Sequence, residues 1–208
     1  LNPFLSYCYY MGKRIRNIEE IKKKVVSHVL FTKPKNYARF MQGINSFRYL
    51  AMSNYRGNLL EASYFAFRLI DDVVDNDLML PSGYKTGVDY VQSKLEFISN
   101  PDWVGDDAEM LLGHMFNVAD KLGLDVYDET RDILGSIMFD AKRIGSNKRF
   151  FHKELDKHFF MLDISGSIKG ALKVFDDDPE KSSLLEPMGR ASRIYYNLRD
   201  FKADIAKG

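Results

Sequence analysis

The sequence predicts an all-α fold, and three observations carry that expectation. No segment alternates apolar and polar residues at period two over several positions, so a sheet has nothing to build from. Apolar residues recur instead at three- and four-residue spacing in one stretch after another. Gly, Pro and Asn punctuate those stretches at intervals that suit helix ends. The 208 residues fit one domain with a substantial core. A net charge of +1 gives no reason to expect nucleic acid as a partner. The single Cys8 excludes an intrachain disulfide and fits a reducing compartment or an indifferent one. No apolar run approaches the ~20 residues that span a bilayer. No charged start followed by an apolar run marks a signal peptide. The expectation is a cytoplasmic protein.

The elements follow in order. Phe4, Tyr7, Tyr9 and Tyr10 are mixed with basic residues, and Asn17 with Glu19 and Glu20 predicts a helix start. Ile18, Ile21, Val25, Val26, His28 and Val29 then form an amphipathic stripe. Such a helix packs on the domain, or lies on a membrane surface and helps deliver an oily substrate. Pro34 interrupts the chain. Tyr37 to Tyr55 predicts a helix with Phe40, Met41, Ile44, Phe47 and Leu50 facing inward, and Asn54 and Gly57 mark a turn. Leu59 to Leu80 contains no Gly or Pro and reads as one long, mostly buried helix, with Leu60, Tyr64, Phe67, Ile70 and Val74 at helical spacing.

Pro81-Ser82-Gly83 is a turn. Tyr84 to Ile98 predicts a helix ended by Asn100-Pro101. Ala108 to Leu122 predicts another, with Gly123 as the residue just past its end. Val126 to Ile144 follows, closed by Gly145. Phe151 to Phe175 is apolar and carries Gly166 and Gly170, which allow close helix approach or a bend. Asp176-Asp177-Asp178-Pro179 reads as a solvated helix cap rather than a metal motif. His28, His114, His152 and His158 have no metal-ligand spacing, so no zinc site is expected.

The chemistry concentrates at two places. Asp71, Asp72 and Asp75 cluster on an otherwise apolar helix. Residues four apart stack on one helix face, so Asp71 and Asp75 point the same way, with Asp72 beside them and Arg68 one turn earlier. Clustered acids repel one another and lose hydration. A divalent cation that also holds a phosphate offsets both costs, and Mg²⁺ is commonly shared between carboxylates and substrate phosphates. Near the end of the chain, Asn197, Asp200 and Asp204 fall at i, i+3 and i+7, beside Arg199. Two such faces across a helical bundle would hold metal ions from opposite sides, with room for a diphosphate between them.

Tyr64-Phe65-Ala66-Phe67-Arg68-Leu69-Ile70-Asp71-Asp72-Val73-Val74-Asp75 resembles the first aspartate-rich motif of the squalene/phytoene synthases, the head-to-head isoprenyl diphosphate synthases. Gly189, Leu198-Arg199-Asp200, Asp204 and Gly208 fall in register with the second, and Ser46-Phe47 is similar to an upstream Ser-Phe pair. The resemblance runs from about Ser46 to Gly208. It implies an isoprenoid-synthase-type bundle around a central cavity, with the family's last helices lying beyond the given chain. It also implies a transferase that joins two prenyl diphosphates, farnesyl or geranylgeranyl, through ionisation and a cyclopropyl diphosphate intermediate. Asp71, Asp72, Asp75, Asp200 and Asp204 would then be catalytic. Asp71, Asp75, Asn197, Asp200 and Asp204 would hold Mg²⁺ or Mn²⁺. Ser46, Tyr64, Arg68, Tyr196 and Arg199 would bind substrate. NADPH use and peripheral membrane contact stay open.

The chain departs from the family at three points. Tyr196 stands where the family has its metal-binding Asn, and Asn197 comes one position late, a rotation of ~100°. Arg193 stands where the family has Gln. Phe160 to Gly166 replaces a Tyr-Cys-x-x-Val-Ala-Gly segment that lines the cavity. Two other readings compete: a class I terpene synthase that cyclises one prenyl diphosphate, and a non-catalytic relative acting in assembly.

Overall fold

The computed structural model describes residues 3–32, 34–50, 53–100, 105–144, 146 and 149–207. The side chains of 3–17, 34, 36, 50 and 200–207 lie outside that description. The described elements are all helical, as expected. They are α1 (Pro3–Thr32), α2 (Pro34–Leu50), α3 (Asn54–Val74), α4 (Gly87–Ser99), α5 (Asp107–Lys121), α6 (Tyr127–Arg143), α7 (His152–Phe159), α8 (Lys169–Phe175) and α9 (Ser182–Lys207). A π-helical segment, Phe160–Ile168, joins α7 to α8, and a 3₁₀ turn, Pro179–Lys181, precedes α9. Among the described residues no helix is long and apolar enough to cross a membrane.

The chain forms two compact units. The first holds residues 1–70 and 100–123. The second holds residues 71–99 and 124–208. In the first unit α1 packs on α2 and α5. Ile18, Ile21, Val25 and Val29 are buried along α1, so its apolar stripe is used in this core. The predicted start at Asn17 is corrected, because α1 begins at Pro3 and Asn17 lies inside it. Lys22 pairs with Glu61 at 3.4 Å and Arg48 with Glu61 at 2.7 Å, which ties α1 and α2 to α3. Gly57 is no turn either. It lies in the first turns of α3, and a Cβ there would run into the Arg48 side chain. α5 has its cap at Asp106, whose carboxylate accepts from the Glu109 N–H at 3.0 Å, and Gly123 follows with φ +67° as predicted.

In the second unit α4 packs on α6, α6 on the π-helical segment, and that segment on α9. The predicted helix over 151–175 is continuous, but its middle nine residues are wound as a π-helix. The wider turn lets short stretches of one helix face two neighbours. Toward α6, Ser165 donates to Asp132, and Gly166 sits where a Cβ would meet Ile133. Toward α9, Ile164 and Ile168 cover Gly189, where a Cβ would lie 2.7 Å from Ile164 Cδ1. Asp178 caps the 3₁₀ turn, accepting from the Glu180 N–H at 2.9 Å. The cap reading of that acidic run therefore holds. Gly145 and Pro101, expected helix stops, lie outside the described residues.

Candidate functional site

α3 ends earlier than its composition suggests. The predicted helix to Leu80 stops at Val74, because Asn76 adopts φ +60°, the left-handed conformation that ends helices. The Asp75 N–H still bonds the Asp71 carbonyl at 2.8 Å, so the two residues remain one helical turn apart. The Leu78 N–H then bonds the Asp72 carbonyl at 2.9 Å and folds the chain back over the end of the helix. The first acidic motif is therefore a helix C-terminus. The helix dipole places partial negative charge there, which adds to the repulsion among the carboxylates.

The three acids are not equivalent. Asp72 is fully buried, Asp71 is half-buried and Asp75 is exposed. The pair expected to share a face, Asp71 and Asp75, is the pair that solvent reaches. The buried stripe of α3 is Leu59, Ala62, Phe65, Ala66, Ile70, Val73 and Val74. Leu60, Tyr64 and Phe67, expected at its centre, lie half-buried on its flank. α3 is apolar on most sides, so periodicity alone left its rotation loose. Tyr64 stacks on Phe40 with ring centroids 3.9 Å apart, and Arg68 is half-buried and engaged with a partner. Ser46 is exposed on α2, next to the buried Phe47.

The second motif occupies the far end of α9, in the same unit as Asp71, Asp72 and Asp75. Tyr196, Asn197 and Arg199 are exposed, and the Arg199 guanidinium lies 4.7 Å from the Tyr196 ring centroid. The side chains of Asp200 and Asp204 lie outside the described residues. Among the described residues no three His, Cys, Asp or Glu side chains gather as a metal cage. No described contact brings Asn197 to the aspartates of α3. Asp71 and Asp75 offer two accessible hard oxygen donors one turn apart. That donor set fits Mg²⁺, which takes one or two carboxylates and completes its shell with water and phosphate.

The departure at Arg193 has a local explanation. Its guanidinium makes a two-pronged pair with Asp163 of the π-helical segment, Nε to Oδ2 at 2.8 Å and Nη2 to Oδ1 at 2.9 Å. Asp163 lies in the segment expected to line the cavity, and Arg193 of α9 pairs with it. The only advance signal was a lone acid inside an apolar run. Ser136, His158 and Asp140 also line up: Ser136 Oγ lies 2.8 Å from His158 Nδ1, and His158 Nε2 lies 3.5 Å from Asp140 Oδ2. Ser136 is 1% exposed, so no substrate reaches it as a nucleophile. Burial lowers the His158 pKa, with Arg193 and Arg143 acting in the same direction against Asp140 and Asp163.

A separate cleft of 390 Å³ opens in the first unit, lined by Lys22, Tyr37, Met41, Glu61 and Phe65 among others. None of the predicted site residues lines it. Burial alone would raise the Glu61 pKa, but Arg48 and Lys22 hold it below its ordinary value. Burial, then the Glu61 charge, raises that of Tyr37. No protein-family model, characterised protein or solved structure compared with the chain matches it.

Proposed function

We propose that the chain is an isoprenoid-synthase-type protein that ionises allylic diphosphates. More particularly, we propose a prenyltransferase that joins two prenyl diphosphates head-to-head to a squalene-, dehydrosqualene- or phytoene-type product. The observation that carries this reading is the pair Asp71 and Asp75, accessible and one turn apart at the C-terminal end of α3, with Arg68 one turn before them. The metal, Mg²⁺ or Mn²⁺, would neutralise the leaving diphosphate. Asp71 and Asp75 would hold it, and Asn197, Asp200 and Asp204 would be its further ligands. Arg68 and Arg199 present planar guanidinium groups that match phosphate oxygens two at a time. Ser46 adds a hydroxyl contact to the diphosphate. In this reading Tyr64 and Tyr196 would give aromatic surface to the prenyl chain, as the resemblance implies.

Incubation with Mg²⁺ and either farnesyl or geranylgeranyl diphosphate, with and without NADPH, tests this. A hydrocarbon with twice the carbons of its substrate is the expected product. A cyclic product from one substrate molecule would establish the terpene-synthase reading instead. Absence of pyrophosphate release with every substrate would leave the non-catalytic relative.

A further inference from the structure

α9 packs with one side and leaves its most apolar side open. Gly189 and Arg193 turn toward the π-helical segment, the first under Ile164 and Ile168, the second against Asp163. On the other side Leu184, Met188, Ile194, Tyr195 and Leu198 are between 56% and 77% exposed. Pro187 and Ala191, which lie among them, are exposed too. At 100° per residue all seven fall within a sector about 120° wide. A stripe of that width is what a helix normally buries. No charged residue interrupts it. The neighbouring Arg190 and Arg193 turn to acids of their own chain, Arg190 to Asp156 and Glu186, Arg193 to Asp163. Single exposed apolar residues are ordinary, but a contiguous patch marks an interaction surface.

The spacing selects the occupant, because it reads the same from either end. Leu184 mirrors Leu198, Pro187 mirrors Tyr195, Met188 mirrors Ile194, and Ala191 is its own mirror. A two-fold axis sets residue i on j and j on i. We propose that two copies of the chain pair antiparallel along this seam, with the axis at Ala191. Every apolar position then meets an apolar position, and the small Ala191 pair lets the helices approach closely. The flanking Glu186, Arg190 and Arg199 mirror Tyr196, Ser192 and Ser183, so no like charges meet. Neither a lipid surface nor an unrelated partner requires a mirrored spacing. The area agrees. Side chains of this size carry on the order of 150 Å² each, so the seam offers roughly 500 Å² of apolar surface. A standard homodimer interface buries about 800 Å² per partner, about 65% of it apolar, which is the same amount. The pairing stands apart from the function proposed above, none of whose residues belongs to the seam.

Sedimentation equilibrium tests the pairing, and a species of twice the chain mass in exchange with monomer is expected. Ala191→Glu sets two like charges together at the axis and should raise the dimer Kd at least ~100-fold. Its circular dichroism should match the wild type, because position 191 is exposed. Cross-linking reads the register in a Cys8→Ser background. Ala191→Cys should form an intermolecular disulfide on mild oxidation. Leu184→Cys alone should not, since its two copies end about 20 Å apart, 1.5 Å per residue along the helices. A mixture of Leu184→Cys and Leu198→Cys chains should cross-link. Self-linking of Leu184→Cys would mean a parallel pair and overturn the arrangement, as would a dimer that Ala191→Glu leaves intact. A chain that stays monomeric at every concentration would overturn the pairing. If that monomer binds phosphatidylcholine–phosphatidylserine vesicles and Leu198→Asp abolishes the binding, the seam is a membrane face instead.

Discussion

At the residue scale, the difference among three neighbouring aspartates matters most. Asp71 and Asp75 face solvent from one helical turn, and Asp72 does not. Asp71→Asn or Asp75→Asn is therefore expected to cut kcat at least ~10²-fold, the scale of losing one preorganised electrostatic group, in a steady-state assay with Mg²⁺. Full turnover in excess EDTA would contradict it. Arg193 gives a second expectation. Arg193→Gln leaves the Asp163 carboxylate, largely screened from solvent, without its cation. That should cost about 1–3 kcal/mol by denaturant titration. A variant that also carries Asp163→Asn should regain part of the loss.

His114 and His158 set an acid limit on stability. Burial is the first cause of the lowered pKa of each, and nearby Lys22 adds to it for His114. A His whose folded pKa lies below its unfolded value of 6.5 contributes stability above about pH 6.5. That contribution is lost as the pH falls through the lowered folded value. The drop in Tm between pH 7.5 and pH 5 should shrink in His114→Gln and in His158→Gln. An unchanged drop in both would show that carboxylates alone govern the acid limb.

At the element scale, the π-helical segment is the feature to test. Its nine residues pack against α6 and α9 at once, and Gly166 lets Ile133 approach. Gly166→Ala forces Ile133 Cγ1 and the Met161 carbonyl apart from the new methyl. The expected loss is about 1–3 kcal/mol, as for other overpacked sites. A gain in stability, the usual result of Gly→Ala within an open helix face, would mean that the segment relaxes to ordinary α-helix. The stop of α3 belongs to the same scale. Asn76→Gly should be neutral or stabilising at φ +60°, whereas Asn76→Val should destabilise and weaken Mn²⁺ binding by shifting Asp75.

At the scale of the whole molecule, a ligand that binds the folded chain and not the unfolded one raises Tm by mass action. Mg²⁺ with inorganic pyrophosphate should therefore raise the melting temperature more than either alone, and EDTA should reverse the rise. Arg68→Ala and Arg199→Ala should blunt the shift while leaving the domain folded. If both instead serve as salt-bridge partners of the acids, the unliganded Tm falls and the pyrophosphate shift stays.

The amino-acid sequence by itself determined that the chain is helical, roughly where most helices lie, and that Asp71 and Asp75 share a face. Each of these is set locally, by hydrophobic period, by turn residues and by the pitch of the helix. Gly123 and the Asp178 cap were legible for the same reason. Tertiary structure decided what depends on partners far along the chain. It kept Ile70 and Val74 of the expected α3 stripe in the core but put Leu59, Phe65 and Ala66 there in place of Leu60, Tyr64 and Phe67, because several faces of that helix are apolar and only packing selects among them. It ended the helix at Val74, where Asn76 turns left-handed and Leu78 bonds back to Asp72. It wound 160–168 as a π-helix, because those residues must satisfy α6 and α9 together. It set Arg193 against Asp163, thirty residues apart, and buried Lys94 among tyrosines. No local rule reports such pairs, since a charge on an apolar stripe becomes intelligible only once its neighbours are in place.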